Sequence, residues 1–129
     1  MDSKNNKFSI KKRLKSFSYA LDGLKVLFGE EHNARIHLVI AIITIIAGLT
    51  LKISLEEWLV VCILIGLIFA MEIINSVIEN ICDHISPEWN PIIKKVKDLM
   101  AAGVLITAIV SVICGIIIFV PKVYVLLFP

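Results

Sequence analysis

Three long apolar runs dominate the pattern of this chain and predict three membrane-spanning helices. They cover residues 33–51, 55–85 and 92–120, and a helix needs about 20 apolar residues to cross a bilayer. Their many Ile and Val residues would also suit buried strands, but the length of the runs favours helices. Pro87 and Pro91 interrupt the helical pattern between the second and third runs, and Pro121 is expected to end the third.

A fourth, amphipathic helix is predicted over residues 8–28. Apolar residues recur there at helical spacing and most of the lysines lie off that face. The apolar positions are Phe8, Ile10, Leu14, Phe17, Leu21, Leu24 and Phe28. This pattern suits the interface of an anionic leaflet. Residues 1–7 are polar and are expected to be disordered. The expected fold is a single all-α integral membrane domain over residues 1–129, with three transmembrane helices and an N-terminal interfacial helix.

Composition and charge agree with a membrane protein and give it an orientation. Hydrophobic residues make up 58% of the chain, whereas soluble domains contain about 45–50%. Of the 13 Lys and Arg residues, all but Lys52 and Lys122 lie before or at the start of the first run, or in the turn after Asp83. Short basic segments stay in the cytoplasm, so the N-terminus and residues 84–97 are predicted to be cytoplasmic. The three cysteines lie in apolar runs and are expected to be reduced.

The second apolar run carries one stripe of polar residues. Glu72, Asn75, Glu79 and Asp83 are spaced i, i+3, i+7 and i+11, which places them within an arc of about 80° on a helix. An ionisable side chain at membrane depth costs about 3 kcal/mol or more, and such residues usually face a polar cavity or bind a ligand. The stripe is therefore the first candidate for a functional site.

The predicted topology brings further charged residues to the same cytoplasmic level. Glu30 and Glu31 precede the first span, and Lys97 and Asp98 open the third. Carboxylates with water suit Mg²⁺, a lysine can neutralise phosphate, and a carboxylate in an apolar setting can accept a proton. Together they could form a phosphoryl-transfer site.

Two other interpretations remain open on these residues alone. One is a small proton-coupled transporter that uses the intramembrane carboxylates, and the other is a non-catalytic assembly subunit. The sequence has no Gly-rich phosphate loop of the P-loop or protein-kinase type. No nucleic-acid partner is expected. The three histidines are interpreted as interfacial polar residues and not as ligands: His32, His37 and His84.

Several motifs resemble one known family. The segment from Glu72 to Asp83 reads Glu-Ile-Ile-Asn-Ser-Val-Ile-Glu-Asn-Ile-Cys-Asp. It resembles the Glu-x-x-Asn-[Thr/Ser]-x-Ile-Glu-x-x-x-Asp signature of the small bacterial membrane lipid kinases, which comprise prokaryotic diacylglycerol kinase and undecaprenol kinase. The run Lys-Asp-Leu-Met-Ala-Ala-Gly-Val-Leu from Lys97 is similar to a second motif of that family. Segments 19–23, 31–35 and 86–90 fit its remaining pattern, so the resemblance covers about residues 8–120.

The resemblance implies ATP-dependent phosphorylation of a membrane lipid alcohol by a homotrimer with shared sites, in the bacterial inner membrane with the N-terminus in the cytoplasm. Glu72 would be the general base, Glu31 and Glu79 would hold Mg²⁺, and Asp83 would support the site. The residues implied in nucleotide binding are Lys12, Tyr19, Glu31, Asn75, Glu79, Glu88, Trp89, Asn90, Lys97 and Asp98. The lipid would meet Lys12, Glu72 and Ala101.

The resemblance also bears on the lipid acceptor. Segments 35–37 and 101–103 look more like the undecaprenol kinase branch of the family. This likeness favours undecaprenol over diacylglycerol as the acceptor. Both lipids offer a primary hydroxyl at the interface. Whether Glu30 shares metal binding with Glu31 is left open.

Overall fold

A computed structural model describes residues 8–129 and contains, within them, four α-helices and no strand. The helices are α1 (Ile10–Glu30), α2 (His32–Thr50), α3 (Leu55–Ile85) and α4 (Pro91–Leu127). The last three are long and apolar enough to cross a membrane. The predicted all-α fold with three spans is therefore confirmed. The expected disorder of residues 1–7 lies outside the described residues.

Helix α1 joins the bundle through its C-terminal half. It begins after Ser9, whose hydroxyl accepts a hydrogen bond from the Lys12 N–H. Leu27, near its other end, is buried, and Phe28 meets Phe69 of α3 edge-to-face with ring centroids 5.6 Å apart. The apolar side chains of its first turns are exposed, as with Phe17. Helix α1 thus has the form of an interfacial helix, and it begins and ends two residues later than predicted.

The turn between α2 and α3 is fixed by hydrogen bonds at both helix ends. At the end of α2, the Ile53 N–H donates to the carbonyl of Gly48 at 3.1 Å. At the start of α3, the Ser54 hydroxyl accepts from the Glu57 N–H, and the Glu57 carboxylate accepts from the Ser54 N–H at 2.7 Å. This reciprocal capping box satisfies two helix-end donors. Ser54 is therefore the N-cap of the second span.

Helices α3 and α4 form the main packing contact of the chain. Near the α2–α3 turn, Val61 of α3 and Ile118 of α4 are buried with Ile53 in one apolar cluster. Beside this cluster, the Lys122 ammonium lies 3.0 Å from the Glu57 carboxylate. The long α3 therefore has α4 along one side, and its opposite end extends to the polar stripe.

Proline acts differently at the two places where it was expected to stop a helix. Helix α3 ends before Pro87, and α4 begins at Pro91, where the Asn90 side chain caps the first N–H groups. The prediction that Pro121 ends the third span is wrong, because α4 continues to Leu127. A single proline removes one helical hydrogen bond, whereas ending the helix in an apolar setting would leave several backbone groups without partners.

Candidate active site

Glu72 is the most deeply buried ionisable side chain in the described part of the protein. Helix α3 places it inside the bundle with 2% of its surface exposed. Its Oε1 atom lies 3.2 Å from Nε2 of His37 on α2. This contact is not a hydrogen bond by geometry, so Oε1 has no hydrogen-bond partner within residues 8–129. A buried polar atom without a partner is costly, and in a native structure it is often kept for function.

Glu31 reaches the same face of α3 from the junction of α1 and α2. Its Oε1 accepts a hydrogen bond from the Ser76 hydroxyl at 2.6 Å. Ser76 lies four residues after Glu72 and three before Glu79, so the three side chains share one helix face. Both Glu31 and Glu79 are near enough to interact electrostatically with Glu72. The structure therefore groups the three carboxylates that the sequence singled out.

Lys97 extends this group toward the end of α3. Its ammonium is paired with the carboxylate of Asp83, and it is near enough to Glu79 for an electrostatic interaction. Asp98 points elsewhere, because it is exposed and paired with Lys94 one turn before it on α4. The structure thus brings Lys97 to the acidic stripe and supports a role for Asp83 in holding it. Within residues 8–129 of one chain, Asp98 has no such contact.

The remaining predicted nucleotide and lipid contacts lie on the periphery. Asn75 is half-buried on the stripe, and the Asn90 side chain is engaged in capping α4. The others are exposed and are spread over α1, the α3–α4 loop and α4: Lys12, Tyr19, Glu88, Trp89 and Ala101. Among the residues of one chain that the structure describes, these five form no hydrogen bond or ion pair with Glu72.

The donor atoms at the site fit a magnesium ion that is shared with phosphates. No group of three or more His, Cys, Asp or Glu side chains arranged to hold a metal ion occurs in residues 8–129. Mg²⁺ usually takes one or two protein carboxylates together with water and substrate phosphates. Glu31 and Glu79 offer such a pair. Glu30 is exposed.

Two cavities with mainly apolar walls are lined in part by His37 and Ser76, the residues that contact Glu72 and Glu31. One, of about 330 Å³, lies between α2, α3 and α4 and extends from His37 to Phe119. The other, of about 430 Å³, lies between α1 and α3 and includes Ser76 and Ile73 in its wall. An apolar chain in either cavity would have a polar end beside the carboxylate group.

The family of the chain follows from its sequence relatives. Residues 18–119 match the model of the prokaryotic diacylglycerol kinase family. The chain belongs to this family. It is 34% identical over 122 residues to undecaprenol kinase of Bacillus subtilis strain 168. This alignment covers 95% of this chain and 99% of that relative. It is 32% identical over 96 residues to diacylglycerol kinase of Helicobacter pylori strain J99. This second alignment covers 74% of this chain and 75% of the relative.

A further relative supports the same assignment. Diacylglycerol kinase of Escherichia coli strain K12 is 28% identical over 109 residues, or 84% of this chain and 89% of that protein. The predicted resemblance is thereby confirmed, and this family member is an integral membrane lipid kinase.

Sequence reasoning missed two polar residues of this kinase. His37 was interpreted as an interfacial residue, but 81% of its side-chain surface is covered and it lies beside Glu72. Ser76 lies within the signature but had no predicted role, although its hydroxyl donates a hydrogen bond to Glu31. A usable signal for His37 was its position three residues after Ala34 and four before Ala41, because these small buried residues mark the packing face of α2.

Proposed function

We propose that the kinase transfers the γ-phosphoryl group of ATP, with Mg²⁺, to the hydroxyl of a membrane lipid alcohol. Undecaprenol is the favoured acceptor over diacylglycerol, because the undecaprenol kinase relative aligns over nearly its whole length. The observation that carries the proposal is the buried Glu72, whose Oε1 lacks a hydrogen-bond partner within residues 8–129 and which lies near two other carboxylates.

In the proposed reaction, Glu72 accepts the proton of the lipid hydroxyl. The lipid oxygen forms a bond to the γ-phosphorus of ATP while the bond from that phosphorus to the bridging oxygen breaks, and ADP leaves. The proton then passes from Glu72 to water, so the products are lipid phosphate, ADP and a proton. A positioned general base contributes about 10²- to 10⁴-fold to rate. The burial of Glu72 suits this role, because it limits access of water, which would compete as acceptor.

Around this base, Glu31 and Glu79 are proposed to hold Mg²⁺ together with the ATP phosphates. The ion would neutralise phosphate charge during transfer. Lys97, which is paired with Asp83, is proposed to contact phosphate oxygens. Further nucleotide contacts are proposed for residues Lys12, Tyr19, Asn75, Glu88, Trp89, Asn90 and Asp98, and further lipid contacts for Lys12 and Ala101.

The setting proposed for this reaction is a homotrimer in the bacterial inner membrane, with the N-terminus in the cytoplasm. The excess of Lys and Arg at the N-terminus and after α3 supports this orientation. The exposed position of several proposed nucleotide contacts supports sites that are completed between subunits.

The direct test measures transfer of labelled γ-phosphate from ATP to lipid. The purified chain in mixed micelles with Mg²⁺ is offered undecaprenol and diacylglycerol in parallel, and label is expected in lipid phosphate, faster with undecaprenol. Glu72→Gln should lower kcat by at least about 100-fold, with ATP affinity kept. Glu56→Gln, at the exposed opposite end of α3, is the matched control. Label in neither lipid, with the protein folded, would refute the proposed function, and an active Glu72→Gln variant would remove Glu72 as base.

A further inference from the structure

His37 belongs to the inner face of α2, although histidine carries a cost at membrane depth. Its neighbours on that face are Ala34, which has no exposed surface, and the buried Ala41. These small side chains let α2 approach α3 closely. As a result, Nε2 of His37 lies 3.2 Å from Oε1 of Glu72.

The carboxylate of Glu72 needs a partner to fix its orientation. The terminal torsion of a glutamate side chain has broad energy wells, so the side chain does not fix the orientation of its own carboxylate. The other charged groups near it are the carboxylates of Glu31 and Glu79, which repel it and have no hydrogen to donate when ionised. Among the titratable groups near Glu72, His37 is therefore the one that can donate a hydrogen bond to it, and its Nε2 lies 3.2 Å from Oε1.

We propose that His37 is the positioning residue for Glu72, and this inference rests on the proposed role of Glu72 as the base. Nε2 and Oε1 are already at hydrogen-bond distance, so the inferred hydrogen bond requires no change in the separation of α2 and α3. Holding Oε1 leaves Oε2 of the same carboxylate to take the proton of the lipid hydroxyl. His37 also lines the cavity between α2, α3 and α4, so the contact is made beside a space that an apolar chain can fill.

This role predicts an effect on turnover without an effect on nucleotide binding. His37→Leu should lower kcat for lipid phosphorylation about 10- to 100-fold, which is less than loss of the base itself. The Kd for ATP and the KM for the lipid should stay within about threefold of the unsubstituted chain. His37→Gln should restore most of the rate, because its amide can still donate toward Oε1. His84→Leu, which changes an exposed histidine on α3, is the matched control.

A double-mutant cycle separates positioning from a general structural role. If His37 acts through Glu72, His37→Leu should change the residual rate of the Glu72→Gln variant by less than about twofold. Multiplicative losses in the cycle would overturn the inference. If His37→Leu does not fold, the kcat of His37→Gln is compared with that of His37→Asn. The asparagine side chain is too short to bring its amide to Oε1, so equal kcat values would overturn the inference.

The same experiments distinguish this inference from the proposed function. If the unsubstituted chain phosphorylates lipid and the kcat of His37→Leu is within about threefold of its kcat, the positioning role alone is overturned. Absence of transfer by the unsubstituted chain would overturn the proposed function, and the inference would fall with it.

Discussion

The hydrogen bond between Ser76 and Glu31 gives a direct test of the proposed metal site. Ser76→Ala removes one hydroxyl from the middle of α3, and alanine keeps the helix because it has the highest helix propensity. The side-chain oxygen of Glu31 then loses a donor that lies at 2.6 Å and is partly buried. If Glu31 holds Mg²⁺, its carboxylate becomes less well oriented for the ion.

The size of this effect follows from the kind of hydrogen bond that is lost. A hydrogen bond to a charged group contributes about 1.5–3 kcal/mol, which corresponds to roughly 10- to 150-fold in a binding constant. Glu31 is half-exposed, and water can replace part of the lost contact, so the lower end applies. We expect the Mg²⁺ concentration at half-maximal activity to rise about tenfold, with kcat at saturating Mg²⁺ largely kept.

The assay is lipid phosphorylation at saturating ATP over a series of free Mg²⁺ concentrations. Ser16→Ala is the control, because the Ser16 hydroxyl on α1 is exposed and donates to its own helix, to the Lys12 carbonyl at 3.0 Å. An unchanged Mg²⁺ dependence in Ser76→Ala would refute the reasoning that this contact orients a metal ligand. A loss of kcat that no Mg²⁺ concentration restores would also refute it, and would make Ser76 a structural residue of the site.

Two predictions concern folding, measured by reversible unfolding in detergent micelles with increasing SDS. Ser54→Ala removes the cap of α3 and should lower the free energy of unfolding by about 1 kcal/mol; an unchanged value would mean that the cap does not stabilise the helix. Gly48→Ala should lower the free energy of unfolding by about 1–3 kcal/mol, because a Cβ there would lie 2.8 Å from the Trp58 ring. Gly103→Ala should lower the free energy of unfolding by less than about 1 kcal/mol, since its Cβ would meet the flexible ends of Met71 and Met100. Equal losses at the two glycines would contradict this packing.

The parts of the fold that depend on local chemistry were predictable from the sequence. Three apolar runs of sufficient length gave the spans, and Ser54 followed by Glu57 marked the start of α3. The end of α4 was not predictable in this way. Pro121 carries a strong local signal against a helix, but it acts on a single hydrogen bond, and the chain continues to Leu127.

The site was predictable as a face but not as a set of contacts. Helical spacing places Glu72 and Glu79 on one stripe, and this required only the period of the helix. Which side chains of other helices meet the stripe depends on the rotation and approach of those helices. The sequence placed Lys97 and Asp98 together at the start of the third span without giving their partners, and the structure pairs Lys97 with Asp83, fourteen residues earlier.

The distribution of burial suggests why a second copy of the chain is needed for the proposed reaction. The proposed base Glu72 is buried within one chain, whereas the proposed nucleotide contacts Tyr19 and Trp89 are 62% and 79% exposed. Phosphoryl transfer to a lipid requires that water be kept from the γ-phosphate. A site that is open on its nucleotide side would not meet this requirement. The arrangement therefore favours the proposed homotrimer, in which a neighbouring subunit covers the nucleotide against the carboxylates of the first.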